Sequence, residues 1–167
     1  MSFSFILVLV AQVACLFLPV AAAPGAVPAP TLDPLFSGSL TVDLVTLIDG
    51  PIGGRVSAKI TDGVLFNPNG TLAATVVPGT GIGNGILADD GIFLASIMFT
   101  VQFAADNTYA YVAVQGVGKQ FVQDLGYVHI ETDSEVWDNL NSHFIVGNVT
   151  FPKVGPSIMN AYIVADA

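Results

Sequence analysis

Tyr127, His129 and Glu131 occupy alternate positions in a short segment that also holds Val128 and Ile130, so in a strand all three polar side chains project from one face. A carboxylate beside an imidazole orients it and raises its pKa, and a neighbouring phenol adds a second proton carrier. Facing the interior of a barrel, this row would suit proton transfer. Facing outward, it is an ordinary polar strand surface, and outward is the preferred reading. The three residues are nonetheless the candidate catalytic set.

The other chemistry-bearing patterns are sparser. Asp133, Glu135 and Asp138 cluster where paired carboxylates could serve acid–base work or calcium, yet their spacing matches no calcium loop, and an acidic helix start fits the helix dipole. His129 and His143 are the only histidines and their spacing matches no zinc motif, so no metal site is expected. The run Gly79-Thr80-Gly81-Ile82-Gly83-Asn84-Gly85 superficially resembles a phosphate cradle, but it lacks a following Lys and a strand-to-helix context. It reads as a flexible loop or wide turn at a barrel mouth, with a lid over a ligand cavity as a further option. No Gly-x-Ser-x-Gly elbow is present, and the single cysteine, Cys15, lies in an apolar N-terminal run. Nucleophilic hydrolases of the usual kinds are therefore not expected, nor is any cofactor.

Apolar and aromatic side chains are the remaining candidates for recognition. Phe93, Ile97, Phe99, Tyr109, Tyr111 and Phe144 would line a ligand cavity if they point inward. Trp137, the only tryptophan, reads as a plug closing one end of the structure, a position from which it would also touch a ligand.

The elements that position these residues are strands. Short segments rich in Val, Ile, Thr, Phe and Tyr alternate with Gly, Asn, Asp and Pro clusters, the pattern of consecutive antiparallel strands. The segments predict about eight strands, near residues 36–47, 55–61, 71–77, 92–103, 109–117, 126–132, 143–151 and 157–164. Val56, Ala58 and Ile60 oppose Arg55, Ser57, Lys59 and Thr61, which gives one apolar and one wet face. The run Ile92 to Phe99 is apolar but for Ser96 and predicts a strand buried on both sides. A short helix is expected over Ser134 to Leu140, capped by Asp133 or Ser134. Closing about eight strands into a single up-and-down barrel removes exposed sheet edges; a two-sheet sandwich is the alternative. No internal repeat is visible and there is no room for a second domain.

Residues 1–22 read as a secretory signal: Phe3 to Ala23 is almost unbrokenly apolar, the stretch ends in small residues, and cleavage after Ala22 avoids hydrolysis at the nitrogen of Pro24. The positively charged start of such signals is missing, so a membrane anchor is the competing reading. Residues 23–31 carry a Pro- and Ala-rich leader expected to be disordered, and residues 32–167 form the barrel domain. The domain would then be secreted, free of disulfides, and stable through its own core. Asn69-Gly70-Thr71 and Asn148-Val149-Thr150 are glycosylation acceptors of the kind such a route modifies. Thirteen acidic residues against four basic ones give a formal net charge of −9. That charge argues against nucleic acid and anionic membrane surfaces as partners.

The opening Thr31-Leu32-Asp33-Pro34-Leu35-Phe36, the Val77-Pro78-Gly79-Thr80-Gly81 turn, the Asp89-Asp90-Gly91 hairpin signal and the segment Trp137 to Gly147 occur in an order that resembles the family of small proteins known as domain of unknown function 3237. The resemblance implies an antiparallel barrel of the calycin or allene-oxide-cyclase kind, and it implies no reaction and no catalytic residues. Usual members tend to have a polar segment containing Trp and Arg where this chain has the glycine-rich 79–85 and the apolar 93–99. The expected function is binding of a small apolar molecule in the barrel. The alternatives are a cyclase or isomerase acting on such a molecule, and a secreted protein that works through its outer surface. A homodimer covering the apolar 92–103 strand is the expected assembly.

Overall fold

A computed structural model of the chain describes residues 28–165. The expected signal sequence, its cleavage point, Cys15 and most of the leader lie outside the described residues. Nine strands form one antiparallel sheet: β1 Thr31–Gly50, β2 Gly53–Phe66, β3 Leu72–Val76, β4 Gly81–Leu87, β5 Ile92–Phe103, β6 Tyr109–Lys119, β7 Gln123–Thr132, β8 Ile145–Thr150 and β9 Ser157–Ala165. From β5 to β8 each strand pairs with the next, β9 pairs with β1, and β1 pairs with β2. The sheet therefore closes on itself as an up-and-down barrel.

The ring has eight staves, because β3 and β4 share one. β2 pairs with β3 through Val64–Phe66 and with β4 through Gly54–Ile60, while β5 pairs with β3 through Val101–Phe103 and with β4 through Phe93–Met98. The break between them is Val77–Thr80. There the Thr80 hydroxyl accepts a bond from the Thr100 amide at 3.1 Å and donates to the Val77 carbonyl at 2.8 Å, which bridges the gap in the ladder.

The glycine-rich run is thus largely wall, a correction to the expected loop or lid. Gly81, Gly83 and Gly85 face inward, alternating with the exposed Ile82 and Asn84. Their lack of side chains has a steric cause. A Cβ on Gly81 would run into Ile60 and one on Gly85 into the Phe93 ring, so these glycines clear the interior for bulkier neighbours.

Two more expectations are corrected. β5 alternates in burial: Phe93, Ala95, Phe99, Val101 and Phe103 are buried, whereas Ile92, Leu94 and Met98 on its outer side are open to solvent in the single chain. An apolar run reads as doubly buried in sequence, but here only its inner half contributes to the core. The short helix is a 3₁₀ turn at Asp138–Ser142, later than expected and without a side-chain cap. Ser134 instead sits before it, its hydroxyl accepting bonds from the amides of Val136 and Trp137.

The interior divides into two zones. The larger packs Phe99, Val101 and Phe103 of β5 against Val112, Val128, Ile130, Ile145, Met159, Leu40 and Ile60. A smaller cluster of Val56, Phe93 and Ala95 lies toward the other end. At about 25 cal/mol per Å² of apolar surface, each buried phenylalanine of the larger cluster contributes roughly 2–3 kcal/mol.

Candidate functional site

One end of the barrel is sealed by side chains. The Trp137 ring stacks on Phe103 and meets Phe36 edge-on, both with centroids 5.4 Å apart, so the tryptophan acts as a plug over the large core. Beside it the buried Ser134 hydroxyl donates to the Asp106 carboxylate, which also accepts from the Thr108 amide and hydroxyl. Those bonds, Ser134 first, hold the Asp106 carboxyl below its usual range. Ser134, Asp106 and Thr108 bond to one another, the buried Trp137 Nε1 has no partner, and the rings of this end pack on the core, so it serves as a cap.

The opposite end is open. A cavity of about 690 Å³ is bounded by the inner faces of β2 (Val56, Ala58, Ile60), β4 (Gly83) and β5 (Phe93, Ile97) and by Asp124, Val149 and Ser157. That volume is in the range of small-molecule sites. Its mouth lies between Thr41–Leu44 of β1 and the segment from Phe151 to Pro156, with Gln120 and Phe121 at the rim. The opening arises because β9 begins at Ser157, opposite Leu40, so β1 beyond that point is paired on only one side, by β2. Phe121 holds a left-handed backbone (φ 54) and packs edge-on against Phe151, with centroids 6.3 Å apart. A bulky residue in that conformation carries roughly 1–2 kcal/mol of backbone strain.

The only buried charged residue among those described is Asp124 on β7, and it lines this cavity. Alternation places Asp124 on the inner row with Val128 and Ile130. It is 5 % exposed, and neither Oδ1 nor Oδ2 has a hydrogen-bond partner. Its cross-strand neighbours are Gly118 on β6 and Val149 on β8. A methyl group built on Gly118 would overlap the Asp124 carboxylate and the Gln123 carbonyl, so the glycine leaves the carboxylate its place. Burial alone pushes the carboxyl up to about 6.

The residues singled out in the sequence are distributed as follows. Tyr127, His129 and Glu131 all project outward. The Tyr127 hydroxyl donates to His129 Nδ1 at 3.4 Å, His129 Nε2 donates to Glu131 Oε1 at 2.7 Å, and Tyr127 stacks on Phe144 at 5.0 Å. The cluster is wet, with the Glu131 side chain 66 % exposed, and an imidazole there has no enclosed substrate to act on. Phe93 and Ile97 line the cavity, whereas Phe99 is packed in the core beyond it. Tyr109, Tyr111 and Phe144 point to solvent and Trp137 closes the far end, so these four do not reach the cavity. Asn69 lies in an exposed turn, its Oδ1 accepting from the Thr71 amide and hydroxyl, and Asn148 is on β8, bonded by Gln123 Nε2 at 3.0 Å. No group of His, Cys, Asp and Glu among the described residues could hold a metal ion.

Asp124 is absent from the sequence-derived candidates because strand patterning starts the sixth expected strand, which is β7 of the structure, at Gly126. Starting it at Gln123 puts an aspartate in register with Val128 and Ile130, an acidic residue on an apolar inner row.

No family model and no curated protein matches the chain. Solved structures do. A protein of unknown function from Clostridium acetobutylicum ATCC 824 is 22% identical, with 81% of this chain and 99% of that one covered and a TM-score of 0.68. A beta-barrel like protein from Acinetobacter baumannii AYE is 18% identical (86% and 99% covered, TM-score 0.66). An enzyme from Penicillium herquei is 21% identical (87% and 99% covered, TM-score 0.61). What they share with this chain is the barrel. At such identities the likeness extends to the fold and carries no function with it.

Proposed function

We propose that the protein binds a small, largely apolar molecule inside the open end of its barrel. The observation that carries this reading is the 690 Å³ cavity, walled by Val56, Ala58, Ile60, Phe93, Ile97 and Val149 and left unfilled by the core. Interiors normally pack to crystal-like density, and an open apolar pocket of this size leaves apolar surface in water that an apolar guest would cover. Gly83 of β4 puts no side chain into the space on one side, and the strand end at Ser157 opens a route in.

The test is a fluorescence titration with Nile red, a neutral apolar dye. Gly83 faces the cavity, and the nearest atom to a Cβ built there is the Ala58 methyl at 3.5 Å, an ordinary contact, so Gly83→Phe starts its side chain into the cavity without a clash at Cβ. Saturable Nile red binding by the wild type that falls at least about tenfold in Gly83→Phe supports the reading. Equal binding by both would place the dye elsewhere and overturn it.

A second reading rests on Asp124. A carboxyl near pKa 6 in a cavity walled mainly by apolar side chains is poised to give or take a proton, so the same site would suit an isomerase or cyclase that shapes an apolar substrate and moves one proton. The likeness to an enzyme of the same fold is consistent with this reading.

A further inference from the structure

We propose that Asp124 is the anchor of this cavity and that its ligand is an apolar molecule bearing one protonated amine. The inference rests on the cavity-binding reading and deepens it by naming the polar group of the ligand. Both Asp124 oxygens are buried and unpartnered, although carboxylates this buried are ordinarily paired or fully hydrogen-bonded. The neighbouring strands offer little to pair with it. Across β6 stands Gly118, across β8 stands Val149, and the residue that β9 contributes to the lining is Ser157.

The other charged groups of the lining are Asp43 and Lys153, both exposed at the mouth, and Lys119 on β6 is also exposed. Among the described residues no cation pairs with Asp124, so once the carboxyl has lost its proton the compensating charge arrives with the ligand.

Ligand classes are ranked by what an unpaired carboxylate in an apolar site accepts. A carboxylic acid or other anion would add a second negative charge beside the first and binds worst at neutral pH. An alcohol satisfies one oxygen and leaves the charge. An ammonium neutralises the charge and donates several hydrogen bonds, in surroundings where such bonds are stronger than in water. The net charge of −9 works in the same direction, since the field of the chain draws cations toward it.

The experiment compares three molecules of one shape as competitors of Nile red: 1-naphthylmethylamine, 1-naphthalenemethanol and 1-naphthoic acid, each also titrated directly by calorimetry. At pH 7.5 the amine is expected to bind at least about tenfold more tightly than the alcohol, and the acid most weakly of the three. With the empty-site carboxyl near 6, lowering the pH to 5 weakens amine binding by about tenfold and leaves the alcohol unchanged. Asp124→Asn is expected to erase the difference between amine and alcohol while retaining Nile red. The wild-type comparison of amine with alcohol at two pH values needs no variant, so the proposal is testable even if Asp124→Asn folds poorly. Nile red binding with no preference for the amine, or a preference that survives in Asp124→Asn, overturns the anchor and leaves the cavity standing. Failure of both dye and amine to bind overturns the cavity reading as well.

Discussion

Removing the charge of Asp124 should stabilise the empty protein at neutral pH, against the usual rule that substitution in a core weakens it. In the unfolded chain this carboxyl loses its proton near its ordinary value of 3.8, whereas in the fold it does so at about 6. Between those values the folded state holds a proton that the unfolded state has released, so the contribution of this group to stability is greatest below the lower value. It declines as the pH rises and is fully lost above the higher one. A difference of roughly two units at about 1.4 kcal/mol each amounts to about 3 kcal/mol. The carboxamide of the Asp124→Asn variant does not titrate. The stability of that variant minus that of wild type should therefore grow by up to about 3 kcal/mol between pH 3.5 and pH 7.5, and taking the difference cancels the titration of every other carboxyl. Urea unfolding followed through the single Trp137, with far-ultraviolet circular dichroism as a second probe, measures it. A difference that stays flat within about 0.5 kcal/mol, or that shrinks as the pH rises, would refute the placement of a bare carboxylate in the cavity.

The remaining predictions concern the residues outside the cavity. Tyr127→Phe, His129→Ala and Glu131→Gln should each leave Nile red binding unchanged and shift stability by no more than about 0.5 kcal/mol, because the row is a solvated outer surface; loss of dye binding in any of them would contradict that. Trp137→Ala should lower stability by about 3 kcal/mol, since it unplugs Phe36 and Phe103, yet leave the dye's dissociation constant within about twofold; a parallel collapse of binding would show that the two ends of the barrel are coupled.

Much of the architecture is legible in the sequence because strand patterning is a local property. The inner row Val56, Ala58 and Ile60, and the bounds of β5, follow from alternation and turn residues alone. The glycine run reads as a loop because glycine signals a turn by default, yet its role in β4 is set by Phe93 and Ile60, which approach from other strands. Tyr109, Tyr111 and Phe144 read as lining because aromatic character does not tell which face of a strand is the inner one, and that depends on register around the whole ring. Asp124 is hidden by three residues of strand boundary. Its importance lies in what is missing around it, the side chain of Gly118 and any paired cation, and an absence has no signature in sequence.

A stave broken in two lets the ends of the barrel move differently. β3 ties the dense core of the plugged end to β2 and β5, while β4 ties the thin cluster of Val56, Phe93 and Ala95, and the two ties meet at the Val77–Thr80 turn, held to β5 through Thr100 by the Val77 amide and the Thr80 hydroxyl. Local opening follows sparse packing. Amides of β4 and of the one-sided half of β1 should therefore exchange with solvent through small openings, while those of β3 and the distal half of β5 wait for the whole barrel to unfold. The molecule would then be a rigid cup with a compliant lip, able to admit and release a guest without risking its fold.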